Sequence, residues 1–347
     1  MSKKIDVLVV DDSAYMRKVI TTMLQSDEEI FVVDTARDGL DALEKVKQLK
    51  PQVITLDVEM PRMDGLTALQ RIMQECPTAV IMLSSLTQEG SETTIKALTL
   101  GAVDFVPKPS GAISLDIAKV KEDLIAKIKI CTRASLKNVR SLTPVVEQRV
   151  ARVPAGAPVG GVPDKLVVIG SSTGGPNALQ QVIPRLPANL PAGVLIVQHM
   201  PPGFTASLAA RLNEISGLAV KEAAEGDQLQ SGQVYLAPGG QHMVLDGRLA
   251  IRLNSDPPVH SVRPAVDVTV ESVVNNFKGS LVGVILTGMG YDGAKGMAAI
   301  KRVGGKTIAQ DEATCVVYGM PRVVVEMGKA DRVLPIGEIA EGIMDML

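Results

Sequence analysis

Apolar and polar positions along the first part of the chain alternate between two periods. Ile5–Val10 is a short apolar run, and after it apolar residues recur at helical spacing from Met16 to Leu24. This strand-and-helix unit recurs through residue 130, with further strands predicted at Ile30–Val33, Val53–Leu56, Val80–Leu83 and Val103–Val106. Five such units in succession predict an α/β fold with a parallel sheet.

The periodic pattern lapses over residues 132–160, where scattered prolines and glycines predict an exposed linker. The pattern resumes beyond it, so residues 161–347 are predicted to form a second, doubly wound α/β domain. Asp246-Gly247 lies between alternating apolar residues and predicts a small hairpin there. The first domain precedes this linker.

Composition narrows the function classes. A length of 347 residues suits two domains, and 36 Lys+Arg against 38 Asp+Glu leave a net charge of −2, which gives no field to gather a polyanion. With no Trp, four Phe and four Tyr, stacking on bases is poorly supported, and we expect no nucleic-acid partner. The apolar runs fall far short of the ~18 residues that span a bilayer, so we expect a cytoplasmic protein without membrane insertion.

The cysteines indicate neither a disulfide framework nor a zinc site. Cys76, Cys131 and Cys315 are odd in number and widely separated, without the paired spacing that such sites need. They are interpreted as packing residues.

Three carboxylates follow strands of the first domain. Asp11 and Asp12 come after the first strand, and Asp57 ends the third. If these strands are neighbours, as in the flavodoxin-like order, the carboxylates converge and their repulsion calls for a hard cation such as Mg²⁺. Each acid taken singly could instead cap the following helix.

A hydroxyl and an ammonium group complete the same edge of this sheet. Ser84 and Ser85 follow the fourth strand, and Lys108 follows the fifth. These are groups that a phosphoryl group on Asp57 would need to satisfy its oxygens. The joint placement predicts a phosphoryl-transfer site.

Three segments carry a resemblance: Val9–Ser13 (VVDDS), Leu56–Gly65 (LDVEMPRMDG) and Val106–Pro109 (VPKP) resemble the motifs of response-regulator receiver domains. The resemblance covers about residues 4–122. It implies a five-strand parallel receiver domain in which Asp57 accepts a phosphoryl group from the phosphohistidine of a histidine kinase.

The receiver resemblance also implies roles for single residues. Mg²⁺ would be held by Asp11, Asp12, Asp57 and the backbone carbonyl of Glu59. Lys108 would pair with the acyl phosphate. Ser84 and Phe105 match the switch hydroxyl and the switch aromatic residue.

A second site is predicted where the first strand of the second domain ends. Gly170–Gly174 (GSSTG) follows the strand Leu166–Ile169, precedes a predicted helix and fits the nucleophile elbow G-x-S-x-G, with Ser172 at its centre. Two alternatives remain. The turn could cradle a nucleotide phosphate, although no phosphate-loop motif is present, or it could be a plain turn in which Ser172 caps the helix.

A serine nucleophile needs a base and an orienting acid. Of the three histidines, His199 follows the strand Val194–Gln198, and Asp292 follows the strand Leu281–Leu286 in a glycine-rich loop. All three groups are predicted at one sheet edge, although Asp292-Gly293 could also be a simple turn. The sequence assigns no role to three further residues, His242, His260 and Arg263.

Four segments of this domain resemble the catalytic domain of chemotaxis protein-glutamate methylesterases: Gly170–Gly175, Gln198–Thr205, Ile285–Gly290 and Cys315–Pro321. The resemblance implies hydrolysis of glutamate methyl esters on chemoreceptors, with methanol release and no cofactor in this domain, and some members also deamidate receptor glutamines. The chain order Ser, His, Asp differs from that of α/β-hydrolases. Tyr291 stands where other members often carry Asn.

Backbone N–H groups near Thr173 and Met289 are the expected oxyanion donors, because amides of helix starts and glycine loops lack other partners. The attached receiver implies activation by phosphorylation. Competing interpretations are an output domain that binds nucleic acid or protein, a different hydrolase and a nucleotide-binding enzyme. The absence of a helix-turn-helix pattern or basic face argues against the first.

Overall fold

The computed structural model describes residues 4–108, 116–132 and 161–347. These residues form two compact units, one before and one after residues 133–160. The predicted linker, 132–160, lies outside the described residues except for Thr132, so the domain bounds 4–122 and 161–347 stay predictions.

The first unit alternates strands and helices: β1 (Ile5–Val10), α1 (Ala14–Gln25), β2 (Ile30–Ala36), α2 (Gly39–Leu49), β3 (Val53–Asp57), α3 (Gly65–Glu75), β4 (Ala79–Ser84), α4 (Gln88–Thr99), β5 (Asp104–Pro107) and α5 (Asp116–Cys131). Its strands are all parallel, in the order β2-β1-β3-β4-β5. This order confirms the predicted five-strand, flavodoxin-like sheet. Since β1 and β3 are neighbours, the acids after them share one edge.

Local sequence explains where these helices begin. Ser13, rather than Asp12, caps α1, because its Oγ accepts a hydrogen bond from Met16 N at 3.3 Å. Asp38 and Asp64 cap α2 and α3 in the same way. The strands β1, β3 and β4 are buried on both faces, which explains their unbroken apolar character.

The described residues of the second unit form a larger sheet, a hairpin, six α-helices and two 3₁₀ turns. In chain order the elements are β6 (Lys165–Ser171), α6 (Gly175–Val182), β7 (Gly193–Gln198), α7 (Phe204–Ile215), β8 (Ala219–Glu222), β9 (Gln233–Leu236), β10 (His242–Leu245), β11 (Ile251–Asn254), α8 (Val266–Asn276), β12 (Ser280–Ile285), α9 (Ala294–Arg302), β13 (Lys306–Gln310), α10 (Met320–Glu326), β14 (Arg332–Leu334) and α11 (Ile339–Met346), with 3₁₀ turns at Ile183–Arg185 and Ile336–Glu338. Seven strands form a parallel sheet in the order β14-β13-β12-β6-β7-β9-β8. The antiparallel pair β10–β11 is the predicted hairpin.

The strand order reverses at β6. The chain runs from β6 to β7 on one side, whereas β12 pairs with β6 on the other. Such a reversal opens a crevice at the carboxyl ends of the strands. Ser172, His199 and Asp292 all follow strands of this central trio.

Three short elements were not predicted from the sequence: β8, β14 and α10. The strands β8 and β14 are four and three residues long, and exposed or half-exposed residues interrupt their apolar pattern. Edge strands of this kind carry little periodic signal. The core beneath the sheet is aliphatic with methionine, as the composition predicts, and includes Met243, Met297 and Met320.

The three cysteines lie in the described part of the chain and form no disulfide, and Cys131 and Cys315 are buried. Burial raises the pKa of both thiols, which therefore stay protonated. None of the helices in the described part of the chain is both long and apolar enough to cross a bilayer.

Gly65 is required where α3 begins against the end of β3. Its N–H donates to Val58 O at 2.9 Å, and a Cβ atom built on it would lie 2.0 Å from the backbone oxygen of Asp57. Because that neighbour is backbone, it cannot rotate away as a side chain would.

We therefore expect Gly65→Ala to destabilise the first unit by about 1–3 kcal/mol, because α3 must move away from the Asp57 strand end. Hydrogen exchange of peptides from residues 4–108 in the full-length protein measures this loss of local stability. Gly247→Ala is the matched control, since its nearest neighbour would be 3.7 Å away. Unchanged protection in Gly65→Ala would contradict the close-packing argument.

Candidate functional site

The carboxyl edge of the first sheet holds a cluster of acids. Asp11, Asp12 and Asp57 each offer a carboxylate oxygen, and these oxygens lie within 4.8 Å of one another. Lys108 Nζ lies 2.9 Å from Asp11 Oδ2 and 2.7 Å from Asp57 Oδ2. The structure thus brings together the acids and the lysine that the sequence predicted.

Among the described residues, Lys108 alone forms ion pairs with the carboxylates of this cluster. Asp11 and Asp57 are buried, and the single ammonium group of Lys108 serves both. Burial raises the pKa of Asp57 to about 6, Lys108 opposes the rise and Asp11 adds to it. For Lys108, burial lowers the pKa, but the two carboxylates outweigh it and the pKa is raised. The oxygen donors and the excess of negative charge fit a divalent cation such as Mg²⁺.

Backbone geometry around Asp57 and Asp11 fixes the carboxylates. Glu59 N donates to Asp57 Oδ1 at 3.3 Å, and Ser13 N donates to Asp11 Oδ1 at 2.9 Å. The side chain of Glu59 is exposed, so any role of this residue in the cluster would fall to its backbone, as the receiver resemblance implies.

The predicted switch residues are both buried. Ser84 Oγ donates to Gly90 O at 3.1 Å and accepts from Thr94 Oγ1 at 2.7 Å, which ties it to the start of α4. Phe105 packs inside β5, with Lys127 Nζ 5.4 Å from its ring centroid and 2.6 Å from its carbonyl oxygen. The sequence reasoning did not identify Thr94 or Lys127, because neither belongs to a motif of its own.

In the second unit, Ser172 sits in the sharp turn between β6 and α6. Its N–H donates to Thr287 O at 3.1 Å, and its carbonyl accepts from Gly175 N at 2.7 Å. A Cβ atom on Gly288 would lie 2.8 Å from Ser172 Cβ, so glycine is needed for this close approach. The elbow predicted from the sequence is thus present and leaves the Ser172 side chain half-buried.

His199 lies at the end of the neighbouring strand β7. Its N–H donates to Ser171 O at 3.1 Å, and its ring Nε2 lies 2.8 Å from Asp292 Oδ2. Within the described residues, no hydrogen bond joins Ser172 Oγ to His199. The structure therefore forms the imidazole–carboxylate pair directly and leaves Nδ1 as the ring nitrogen available to a nucleophile.

Asp292 is buried and accepts four hydrogen bonds, from His199, Val266 N, Asp267 N and Gly293 N. Burial by itself would raise the pKa of Asp292, but the pairing with His199 and the backbone donors outweighs it and the pKa is lowered. Val266 and Asp267 open α8, whose positive end also favours a carboxylate. Asp292 therefore stays ionised beside His199.

Buried polar side chains support the elbow. Gln198 accepts from Ser171 Oγ at 2.6 Å and donates to Ser172 O at 2.9 Å, and Thr287 Oγ1 donates to Thr173 O at 3.0 Å. The sequence reasoning missed these supporting roles. The available signal was a polar residue at the end of an all-apolar strand, since such a side chain must find partners when buried.

The two expected oxyanion donors come from different segments: Thr173 belongs to the elbow, and Met289 belongs to the loop after β12. Thr173 is buried directly after Ser172, and Met289 follows Gly288 in the Asp292 loop with its side chain exposed. Their role in binding an oxyanion stays a prediction.

Two residues without an assigned role have structural partners. His242 is fully buried, with Nδ1 accepting from Ala265 N at 3.2 Å and Nε2 at 3.2 Å from Pro257 O. Arg263 donates through Nη1 to Ser255 O and Asp256 O. Both residues therefore stabilise the loop that leads into α8.

Comparison with known proteins gives a match to each half of the chain. Residues 167–343 match the family model of the CheB methylesterase, and residues 7–118 match that of the response regulator receiver domain. The crystal structure of the Thermotoga maritima CheB methylesterase catalytic domain is 49% identical, with a TM-score of 0.52, and the match covers 53% of this chain and 98% of that one.

Curated relatives match over nearly the whole length. The protein-glutamate methylesterase/protein-glutamine glutaminase of Symbiobacterium thermophilum is 58% identical, over 99% of this chain and 97% of that protein. The Thermotoga maritima protein of the same name is 48% identical, over 99% and 98%. With its elbow serine, its His199–Asp292 pair and its acidic receiver cluster, this chain belongs to the CheB methylesterase family and carries a response regulator receiver domain.

Proposed function

We propose that this protein hydrolyses glutamate methyl esters on chemoreceptors, releasing methanol and restoring glutamate, and that phosphorylation of Asp57 accelerates the reaction. The observation that carries the proposal is the His199–Asp292 pair at the edge of the sheet where the elbow presents Ser172. Acyl transfer to water requires a serine, an imidazole and a carboxylate, and all three lie at this edge of the sheet.

The reaction proceeds in two acyl-transfer steps. Ser172 Oγ attacks the ester carbonyl while His199 takes its proton, and collapse of the tetrahedral intermediate passes that proton to the departing methanol. Water then attacks the glutamyl-serine ester with His199 again as base, which frees the glutamate and Ser172. Because Nε2 is held by Asp292, Nδ1 is the nitrogen that serves Ser172.

Asp292 orients the imidazole and stabilises the imidazolium ion that each step forms. Its ionised state supports this role, since the backbone donors at α8 and the His199 contact keep its pKa low. We assign the backbone N–H groups of Thr173 and Met289 to the oxyanion; one such donor is worth roughly 3 kcal/mol.

The same site can deamidate glutamine. Attack of Ser172 on a glutamine side chain forms the same acyl-enzyme and releases ammonia in place of methanol. The double name of the relatives, protein-glutamate methylesterase/protein-glutamine glutaminase, supports this second activity. Both substrates would be side chains of chemoreceptor segments in the cytoplasm. For the protein itself we propose neither a nucleic-acid partner nor membrane insertion.

The receiver site would take its phosphoryl group from the phosphohistidine of a chemotaxis histidine kinase. Asp57 is the acceptor, and Asp11, Asp12, Asp57 and the Glu59 carbonyl would hold Mg²⁺, which supplies positive charge against the phosphoryl oxygens when bound. Lys108, already 2.7 Å from Asp57, pairs with the acyl phosphate. Ser84 and Phe105 are proposed to respond to it, since both are buried beside strand ends of the same sheet.

We expect Ser172→Ala to lower methanol release from methylated chemoreceptor by about 10⁴-fold or more while the fold is kept, because the nucleophile is lost. Methanol is measured by gas chromatography, and Ser280→Ala is the matched control, since Ser280 is exposed at the opposite end of β12. Methanol release at the wild-type rate from folded Ser172→Ala would exclude Ser172 as nucleophile. No release from the wild-type protein would exclude the esterase activity on this substrate.

We expect Asp57→Asn to abolish labelling by a small phosphodonor such as acetyl phosphate, because an amide oxygen is a far weaker nucleophile than a carboxylate. The variant should also lose the rise in methanol release that Mg²⁺ and phosphodonor produce in the wild type. Asp6→Asn, in the first part of β1, is the control for the same substitution in the same unit. Stimulation that survives in Asp57→Asn would refute the proposed coupling.

A further inference from the structure

The starts of α8 and α9 are capped by acids from each other's segment. Neither Ala265 nor Gly293, the residues before these helices, provides a side-chain cap. Asp292 accepts from Val266 N at 2.6 Å and Asp267 N at 3.1 Å at the start of α8. In return, Asp267 Oδ1 accepts from Gly296 N at 2.7 Å in the first turn of α9. Each acid thus satisfies N–H groups that its partner helix leaves open.

These reciprocal hydrogen bonds fix the position of Asp292, the proposed catalytic acid. Asp292 lies two residues before α9, and Gly293 between them has a φ of +90°. The bond from Gly296 N to Asp267 ties the first turn of α9 to α8, so the chain is attached to α8 both at Asp292 and just after it. Loss of the Asp267 acceptor would remove one of these two attachments.

A second imidazole holds Asp267 in turn. His260 Nε2 lies 3.2 Å from Asp267 Oδ2, and its ring meets the Tyr291 ring edge-on with centroids 4.6 Å apart. His260 and Ser261 have φ values of +54° and +64°, a conformation that costs energy for side chains other than glycine. The hydrogen bonds between Val259 and Val262 close this tight turn. The strained turn thus holds the His260 imidazole within hydrogen-bond distance of the Asp267 carboxylate.

The two acids lie close enough to interact. His260, Asp267 and Asp292 each offer an atom, and all lie within 4.8 Å of one another. Burial raises the pKa of Asp267, the Gly296 hydrogen bond opposes this, and Asp292 adds to it. Each acid therefore has its own imidazole partner, His199 for Asp292 and His260 for Asp267, which limits the repulsion between them.

We propose that Asp267, held by His260, is a positioning residue for the hydrolytic reaction: it fixes the first turn of α9 and so aims the Asp292 carboxylate at His199. The proposal rests on the proposed function of Ser172, His199 and Asp292. Asp267 contacts neither Ser172 nor His199 among the hydrogen bonds and ion pairs of the described residues. Its effect must therefore pass through Asp292.

The test compares Asp267→Ala with Asp267→Asn in the full-length protein. Alanine removes the acceptor for Gly296 N, whereas the Asn Oδ1 retains it. We expect kcat for methanol release to fall roughly 10–100-fold in Asp267→Ala with KM within about twofold, because the triad geometry is lost but the substrate surface is kept. Asp267→Asn should retain kcat within about threefold. Glu271→Ala, an exposed acid on the same helix, is the control and should match the wild type.

A second readout does not depend on the receptor substrate. The rate at which diisopropyl fluorophosphate modifies Ser172, followed by mass spectrometry, reports the activation of the serine alone. We expect it to fall in Asp267→Ala in proportion to kcat and to recover in Asp267→Asn. If the wild type releases no methanol, the proposed function fails, while this labelling ratio still decides the role of Asp267.

Folding is monitored by thermal unfolding of each variant. If Asp267→Ala does not fold, Asp267→Ser replaces it, since the hydroxyl ends one bond short of the carboxylate oxygen that reaches Gly296. A folded variant without the acceptor that labels Ser172 at the wild-type rate overturns the proposal. A raised KM with unchanged kcat also overturns it, because Asp267 would then contact substrate.

Discussion

The second unit depends on one buried carboxylate, Asp292, held where the first turns of two helices meet the His199 ring. The N–H groups that point at it are ones that α8 and the start of α9 leave without partners inside the helix. Satisfying them stabilises the fold, and the same contacts keep the acid ionised beside the imidazole. The same hydrogen bonds therefore serve stability and the proposed chemistry, so the proposed catalytic acid is fixed before any substrate arrives.

The buried carboxylates of the two units have different kinds of partner. In the first, one lysine serves Asp11 and Asp57, and the pKa of Asp57 is raised to about 6, which leaves the cluster short of positive charge. A divalent cation and a transferred phosphoryl group suit that imbalance. In the second, each acid has an imidazole and backbone donors of its own. Together with the backbone donors, the His199 contact keeps the pKa of Asp292 low.

The fold was largely predictable because both large sheets are parallel. Parallel strands are buried on both faces and appear as apolar runs, and the residues after them gather at one edge. Asp57, Lys108, Ser172 and His199 could be placed in this way from their positions after strands. The edge strands β8 and β14 were missed because short, half-exposed segments carry little pattern. The sequence reasoning gave Gln198 no role beyond its place in a motif, since its partners Ser171 and Ser172 lie at the end of another strand and in the turn after it.

The sequence by itself determined the fold class, the two sheets and which chemical groups stand at the strand ends, because these follow from local periodicity and from residue type. Only the tertiary structure decided which atoms meet. His199 and Asp292 are 93 residues apart in the chain, yet Nε2 of one meets Oδ2 of the other at 2.8 Å. The exchange of caps between Asp267 and Asp292, and the His260 turn that supports it, depend on how α8 packs beside α9. Contacts between distant segments leave no periodic trace in either segment, and so they emerge only when the chain is folded.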